Sequence, residues 1–263
     1  MNRTGRSVLA VWRLLRCAVH ALHGVLIVLT RFRAYDAAQR LGAIQWWAAK
    51  VLEVMGIGLR VQGQLQEGGV LLVANHVSWL DINALHAVLP QLRFVSKSDI
   101  RDWPLLSRLA DAAGTLYLER DRKRDALRVV HLVAQALRQG QKVAVFPEGT
   151  TSDGRALLPF HANLLQAAIA SGAPVQPIAL RFSDAHAAVS AATLYVGSTT
   201  LVESMWRVAV ADGLVAHVSI LPARNSAGAD RRTLARDLQA DIAACVGGHP
   251  SQCRPAGLAA AEA

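Results

Sequence analysis

The stretch at residues 70–81, VLLVANHVSWLD, decides the fold class. Five apolar residues predict a buried strand at 70–74, and a helical pattern over 80–89 follows after a short polar turn. A strand that leads directly into a helix is the repeating unit of α/β proteins. This stretch therefore predicts an α/β architecture in which a polar turn lies at the end of a buried strand.

The same alternation continues through the chain after about residue 60, where short β-rich runs are separated by helical patterns. Further strands are predicted at 92–96, 115–118, 142–146, 175–182, 193–196 and 215–221, and further helices at 104–112, 123–139, 160–171 and 229–246. Strand and helix in repeated alternation predict the α/β class, a mixed sheet flanked by helices on both faces.

The composition restricts the class of partner. The chain has 263 residues, of which 52% are hydrophobic and 18% charged, and its formal net charge is +9. Residues 1–60 hold nine basic and two acidic side chains, so most of the surplus lies in the first quarter of the chain. Because the rest is nearly balanced, it lacks the basic stripe that nucleic acid requires. We expect an anionic membrane surface as partner and no nucleic acid.

The N-terminal segment is predicted to associate with a membrane. Residues 17–30 are its longest stretch without a formal charge, which is shorter than the roughly 20 residues that a span requires. Helical spacing separates a basic face from an apolar one; the basic face is Arg13, Arg16, His20 and His23, and the apolar face is Leu15, Val19, Leu22 and Leu26. We expect the basic face to lie on anionic lipid headgroups.

A second helix is predicted at 35–56, with the aromatic pair Trp46 and Trp47 suited to an interface. A single span, a secretory signal and two core helices of a soluble protein remain alternatives for this segment. We predict three parts of the chain: membrane-associating helices at 1–58, a catalytic domain at 59–226, and a C-terminal helix with a flexible tail at 227–263.

The turn after the first strand holds a histidine and an aspartate. His76 lies in the turn and Asp81 five residues later, at the start of the next helix. A carboxylate at this spacing can accept from one imidazole nitrogen and leave the other free to take a proton. Alternatively, Asp81 caps the helix and His76 is an ordinary turn residue. Ser78 is a candidate nucleophile, although no nucleophile-elbow motif surrounds it.

A second turn, at residues 146–154 with the sequence FPEGTTSDG, follows another predicted strand. Proline, glutamate and glycine there predict a tight turn whose backbone N–H groups can face one point. Glu148 is a candidate hydrogen-bond acceptor for a polyol. An ordinary turn with an exposed glutamate is the alternative.

Two further places are candidates for binding. Arg120, after the strand at 115–118, and Lys97, after the strand at 92–96, can both reach a phosphate at the sheet edge. The charges at 122–124 are instead interpreted as a solvated cluster. Residues 172–178, GAPVQPI, form either a wall of an acyl-binding cleft or an edge strand, since two prolines restrict pairing.

In their order along the chain, these four motifs resemble those of the glycerolipid acyltransferase family, which acylates lysophosphatidate and related lysolipids. His76 and Asp81 match the first motif, Gly114 to Arg120 the second, Phe146 to Thr150 the third, and Val175 to Ile178 the fourth. The resemblance covers about residues 60–222. It implies a lysophosphatidate acyltransferase-like fold and an O-acyltransferase of membrane lipids at the cytoplasmic face of the cell membrane.

The resemblance also implies roles for the candidate residues. His76, held by Asp81, would deprotonate the hydroxyl of a lysolipid, which then attacks the thioester of acyl-CoA or acyl carrier protein without a metal or a cofactor. Glu148, Gly149 and Thr150 would contact the acceptor, and Arg120 with Lys97 would bind its phosphate.

One departure leaves the acceptor open. The third motif of the family usually continues with arginine, and this chain has Thr151 there. Members that acylate lyso-ornithine lipid are similar in carrying threonine. Lysophosphatidate is the first expectation and lyso-ornithine lipid the alternative. A serine esterase and a non-catalytic membrane protein are hypotheses from other classes.

Overall fold

A computed structural model describes residues 3–118 and 123–247. The helices are α1 (Arg3–Thr30), α2 (Ala37–Met55), α3 (Leu80–Val88), α4 (Pro104–Ala112), α5 (Lys123–Arg138), α6 (Leu165–Ser171), α7 (Leu201–Val210) and α8 (Arg231–Gly247). The strands are β1 (Gly58–Gln62), β2 (Val70–Ala74), β3 (Leu92–Lys97), β4 (Leu116–Leu118), β5 (Lys142–Val145), β6 (Val175–Ser183) and β7 (Val215–Ile220). Single 3₁₀ turns occupy Ser98–Asp102 and Ala191–Thr193.

The strands form one sheet in the order β1-β7-β6-β2-β5-β3-β4. Neighbouring strands run parallel except β6 and β7, which are antiparallel. This arrangement confirms the predicted mixed sheet. The carboxyl ends of β2, β5, β3 and β4 meet at one edge, where ligand sites of open α/β sheets lie.

The central strand β2 shows why helices cover both faces. Its five side chains are all buried and alternate between two separate cores. Leu72 packs into the core that α2, α3 and α7 share, whereas Leu71 packs into the core of α5, α6 and α8. Burial of each leucine contributes about 1.5–3 kcal/mol. The prediction of helices on both faces is confirmed.

One local prediction was wrong, two elements were not predicted, and one alternative left open by the sequence is excluded. Residues 193–196 are not a strand, because the chain there forms a 3₁₀ turn and then an irregular segment whose Tyr195 N–H donates to Val77. Strand β1 and helix α7 were not predicted at all. The proline-flanked run at 175–178 is not an edge strand, since β6 pairs with β2 on one side and β7 on the other.

Helix α1 is oriented opposite to the prediction. The Arg13 guanidinium donates to the carbonyls of Ala209 and Ala211 at 2.9 and 3.0 Å, at the C-terminal end of α7. His20 is buried, and a ring nitrogen lies 3.0 Å from the Trp47 carbonyl. Arg13 and His20 therefore face the protein, because the unpaired carbonyls at the end of α7 and the Trp47 carbonyl provide partners.

The apolar face of α1 is the one that is exposed. Its side chains recur at alternating steps of four and three, and several are between 57% and 67% exposed. We call this set the apolar stripe of α1; it consists of Val8, Trp12, Leu15, Val19, Leu22, Leu26 and Leu29. Within the described residues, one helix, at Thr4–Thr30, is long and apolar enough to cross a membrane.

The terminal elements pack onto the sheet. Leu52 and Met55 of α2 lie fully within the core of α3 and α7. At the other end, Arg224 and Asp241 of α8 form a bidentate pair, with N–O distances of 2.5 and 2.7 Å. The boundaries predicted at residues 58 and 226 stay predictions.

Candidate active site

The turn after β2 is fastened to the neighbouring strand by Asn75. The buried Asn75 amide donates to the Leu180 carbonyl at 2.9 Å and accepts from the Leu180 N–H at 2.7 Å. Asn75 thus pairs with both backbone groups of Leu180, and it replaces the strand-to-strand hydrogen bonds where β2 has ended. His76 therefore leaves the sheet in a fixed direction at its carboxyl edge.

The imidazole of His76 contacts the Asp81 carboxylate. Its Nδ1 lies 2.7 Å from Asp81 Oδ2, and the same oxygen accepts from the backbone N–H groups of Val77 and Ser78 at 2.7 and 2.9 Å. Because a carboxylate oxygen only accepts, Nδ1 carries a hydrogen, and Nε2 is therefore the nitrogen that bears the lone pair whenever the ring is neutral. Within the described residues, Nε2 has no hydrogen-bond partner.

Asp81 holds its position because it is fully buried in the first turn of α3. The N-terminal end of a helix favours a negative charge there. Its other oxygen, Oδ1, has no hydrogen-bond partner in the part of the chain that the structure describes. All of its hydrogen bonds to the His76 turn therefore go through Oδ2.

An aromatic stack supports the other side of the imidazole. The ring of Phe146 lies parallel to that of His76, with centroids 4.1 Å apart and an interplanar angle of 15°. Phe94 of β3 stacks on Phe146 in turn, with centroids 5.8 Å apart. The motif that contains Phe146 does not by itself predict this contact, because a stack between the ends of two strands is set by the register of the sheet.

Glu148 is a backbone partner of the histidine turn. Its Oε1 accepts from the His76 N–H at 2.7 Å and its Oε2 from the Leu158 N–H at 2.9 Å. The side chain is 3% exposed, and burial raises the pKa of the carboxyl while these hydrogen bonds lower it. Contact of Glu148 with the acceptor stays a prediction; what the geometry shows is that Glu148 fixes the backbone of His76.

The rest of the second turn closes over the same backbone. Gly149 has φ +69° and donates its N–H to the Phe146 carbonyl at 3.1 Å, which makes the tight turn. Ser152 donates its N–H to the His76 carbonyl at 2.7 Å. Gly149 and Thr150 are exposed beside this turn. The hydroxyl of Thr151 donates to the Tyr195 carbonyl and so ties the turn to a neighbouring loop.

Of the two cations predicted to bind phosphate, Lys97 lies within the described residues. Lys97 ends β3 at the same sheet edge as His76, two strands away, and its side chain is half-buried. Arg120 lies outside the described residues. Its predicted phosphate contact stays a prediction.

Ser78 does not form a nucleophile pair with His76. It is fully buried, and its hydroxyl oxygen accepts a hydrogen bond from the Leu80 N–H at 3.4 Å. The described structure gives it no hydrogen bond to the imidazole. A serine nucleophile needs such a bond to its base, so the geometry argues against a serine esterase.

An apolar cavity of about 490 Å³ lies next to the stack. It is lined mainly by α1, α2, α3 and α4, and its walls include Gly24, Trp47, Trp79, Ile82, His86 and Phe94. Because Phe94 also stacks on Phe146, the cavity reaches the aromatic group that supports His76. We refer to it below as the apolar cavity.

Comparison with known proteins identifies the family of this site. The acyltransferase family model matches residues 58–181, which include both turns. Lyso-ornithine lipid O-acyltransferase of Pseudomonas aeruginosa is 35% identical over 214 residues, covering 81% of this chain and 82% of that protein. The chain belongs to the acyltransferase family. The family and the enzyme class predicted from the four motifs are thus confirmed.

Other acyltransferases agree with this placement. The 1-acyl-sn-glycerol-3-phosphate acyltransferase of Neisseria meningitidis is 38% identical over 189 residues, covering 71% of this chain and 73% of that protein. The crystal structure of the 1-acyl-sn-glycerophosphate (LPA) acyltransferase from Thermotoga maritima superposes with a TM-score of 0.72. It covers 94% of this chain and 96% of that one at 19% identity, which shows a shared fold.

Proposed function

We propose that this acyltransferase moves a fatty acyl group from acyl-CoA or acyl carrier protein to the free hydroxyl of 1-acyl-sn-glycerol-3-phosphate, giving phosphatidic acid. The observation that carries the proposal is the His76–Asp81 pair, with Nδ1 held at 2.7 Å and Nε2 unpartnered within the described residues. The names of the relatives support a lysolipid acceptor.

The reaction is one direct transfer. His76 Nε2 removes the proton of the acceptor hydroxyl while that oxygen attacks the thioester carbonyl. The new C–O bond forms, the C–S bond breaks, and the leaving thiolate takes the proton back from His76. Asp81 stabilises the imidazolium between these steps, since its Oδ2 already accepts from Nδ1. The chain's own residues thus complete the cycle without an acyl-enzyme.

The apolar cavity supports a place for an acyl chain. Its walls are almost entirely hydrocarbon and aromatic, and Phe94 in these walls stacks on Phe146. An acyl chain buried there is stabilised by about 0.8 kcal/mol for each methylene removed from water. The thioester of such a chain would lie near His76.

The remaining site residues are assigned from their positions. Glu148 is a positioning residue, because both of its oxygens accept from backbone groups that shape the His76 turn. Gly149 and Thr150, which are exposed beside it, are proposed to contact the acceptor. Lys97 and Arg120 are proposed to bind its phosphate, since β3 and β4 end at this edge.

Lyso-ornithine lipid is a second candidate acceptor, and Thr151 is the observation that favours it. The Thr151 hydroxyl is used to hold the Tyr195 carbonyl, so this position supplies structure and no cation for a phosphate. A head group that carries its own positive charge needs no such cation. The Pseudomonas relative is named for this acceptor.

The apolar stripe of α1 supports binding to a membrane surface. A row of exposed apolar side chains along one helix is typical of a helix that lies in the lipid interface. Arg31 and Arg33 follow directly at its C-terminal end and are exposed, where anionic headgroups would meet them. We propose the cytoplasmic face of the cell membrane as the location, because acyl-CoA and acyl carrier protein are cytoplasmic donors.

The acceptor is tested with purified full-length protein in mixed micelles. Labelled acyl-CoA is supplied with lysophosphatidate in one arm and lyso-ornithine lipid in the other, and product formation is measured. Labelled phosphatidic acid is the expected product. Acylation of lyso-ornithine lipid alone would make the second candidate correct, and transfer to neither would contradict the proposal.

A further inference from the structure

Two arginines and a histidine form a row across three strands, far along the sheet from Lys97. In β1, β7 and β6, Arg60 pairs with His217 and His217 pairs with Arg181 in register. Residues directly opposite in neighbouring strands point to the same face of a sheet. Ala179, two residues before Arg181, packs into the core of α8. The row therefore lies on the α8 face of the sheet.

The charges in this row have no acidic partner in the part of the chain that the structure describes. Arg181 donates to the Ala188 carbonyl at 3.1 Å, and Arg60 makes no hydrogen bond or ion pair with any described residue. Among the described residues, none of the ion pairs includes either arginine. Like charges on one face of a sheet repel each other. An anion bound between the two guanidinium groups would offset this repulsion.

His217 fits between two guanidinium groups because it is neutral. Its Nε2 lies 2.8 Å from the Ser183 hydroxyl. Burial, and then the charges of Arg181 and Arg60, lower the pKa of the imidazole to about 4. At neutral pH the row thus offers two cations flanking a neutral ring, together with a hydroxyl.

The row lines a concave surface. A cavity of about 400 Å³ lies over it, and Gln62, Ser219 and Val246 contribute to the walls. This volume is in the range of small-molecule sites. A guanidinium group can donate two parallel hydrogen bonds to one phosphate, so a pair of arginines is well suited to bind such a group. We propose that Arg60, His217 and Arg181 form a binding site for a soluble ligand that carries phosphate, and the walls of this cavity include no residue of the His76 and Glu148 turns.

The position in the fold favours a soluble ligand over a lipid headgroup. Helix α1, with its apolar stripe, packs through Ala10 and Cys17 into the core on the other face of the sheet. A membrane that contacts this stripe is therefore separated from the arginine row by the sheet itself. The phosphate compound must reach the row from the aqueous side.

The test measures binding of pyrophosphate and of adenosine 3′,5′-bisphosphate to the full chain by calorimetry. We expect the double variant Arg60→Gln/Arg181→Gln to bind at least tenfold more weakly. The matched control, Arg231→Gln/Arg232→Gln, removes the same charge from the start of α8 and should bind as the unaltered chain does. His76→Ala should also bind normally, which separates this site from the catalytic one.

Thermal unfolding gives a second measurement that does not depend on activity. Pyrophosphate should raise the unfolding midpoint of the unaltered chain and leave that of the double variant unchanged. Without ligand, the double variant should unfold near the midpoint of the unaltered chain, because it loses both a repulsion and one exposed hydrogen bond to Ala188. If the unaltered chain bound neither phosphate compound, or if the control variant lost binding equally, Arg60 and Arg181 would be ordinary solvated side chains. Loss in His76→Ala would place the anion at the catalytic edge. Binding to anionic vesicles alone, lost in the double variant, would make the ligand a lipid. Each of these results would overturn the proposal.

Discussion

A single carboxylate oxygen, Oδ2 of Asp81, holds the imidazole of His76 in place. Asp81 Oδ2 accepts from Nδ1 of His76 and from two backbone N–H groups, so it sets both the tautomer and the direction of the ring. In Asp81→Asn, the amide lacks the charge that stabilises the imidazolium. We expect kcat to fall by about 10²–10⁴. Steady-state kinetics beside Asp212→Asn, an exposed control, measures this; a kcat within threefold would contradict the role of Asp81.

Substitution of Glu148 tests whether this residue positions the His76 turn or contacts the acceptor. In Glu148→Gln, one of the backbone N–H groups of His76 and Leu158 loses its acceptor, which costs about 1–3 kcal/mol of unfolding free energy. We expect a lower kcat and lower stability, with the KM for the acceptor unchanged. Kinetics and chemical denaturation together measure this. A raised KM with unchanged stability would instead show that Glu148 contacts the acceptor.

At the level of single elements, α1 presents its apolar stripe outwards and directs Arg13 and His20 to the protein. Val19→Asp/Leu22→Asp should weaken binding to anionic vesicles at least tenfold, since burial of each side chain contributes about 1.5–3 kcal/mol. Leu127→Asp is the matched control, because Leu127 is as exposed but lies on α5, across the sheet. Co-sedimentation measures the effect. Equal binding of all three proteins would exclude the stripe as the membrane contact.

Because of His86 in α3, we expect the free energy of unfolding to fall at acid pH. Burial lowers the pKa of His86 to about 4 from its ordinary value of 6.5. The unfolded chain therefore binds a proton that the folded chain does not, and the unfolding free energy falls as the pH drops from about 6.5 to 4, by about 3 kcal/mol.

Denaturation at several pH values checks this prediction. His86→Leu should flatten the slope below pH 6.5, with part remaining because the pKa of His217 is also about 4. His131→Leu, at an exposed position of α5, should leave the slope as it is. An unchanged slope in His86→Leu would show that His86 already takes up a proton in the folded protein.

Elements with a clear local sequence pattern were predictable. Strand β2 and helix α4 were predicted at their observed bounds, because a continuous apolar run and an amphipathic pattern can each be recognised within a short window of sequence. Strand β1 was missed since its side chains are mostly exposed and it is a strand only by pairing with β7. The orientation of α1 depends on carbonyls at Ala209 and Ala211, which lie nearly two hundred positions later in the chain.

The candidate site divides in the same way. The His76–Asp81 pair was predictable because a local spacing of five residues makes the contact. The stack of Phe146 on His76 and the bonds of Glu148 to the His76 turn join separate strands. Strand order is a property of the whole sheet, and no spacing along the chain encodes it.

At the scale of the whole molecule, the sheet separates two environments. The apolar stripe of α1 and the apolar cavity lie on one face, and the arginine row lies on the other. The His76 turn lies at the sheet edge, next to the aromatic stack that reaches the cavity. An acyl chain bound in the apolar cavity, as we propose, would therefore lie beside the proposed base at the edge of the sheet.

The most direct test of the central claim is transfer by His76→Ala, measured together with vesicle binding and thermal unfolding. If His76 is the base, transfer falls by about 10²–10⁴ while binding and the unfolding midpoint stay as in the unaltered protein. Transfer at the unaltered rate would contradict the account, because the proton would then leave through another group.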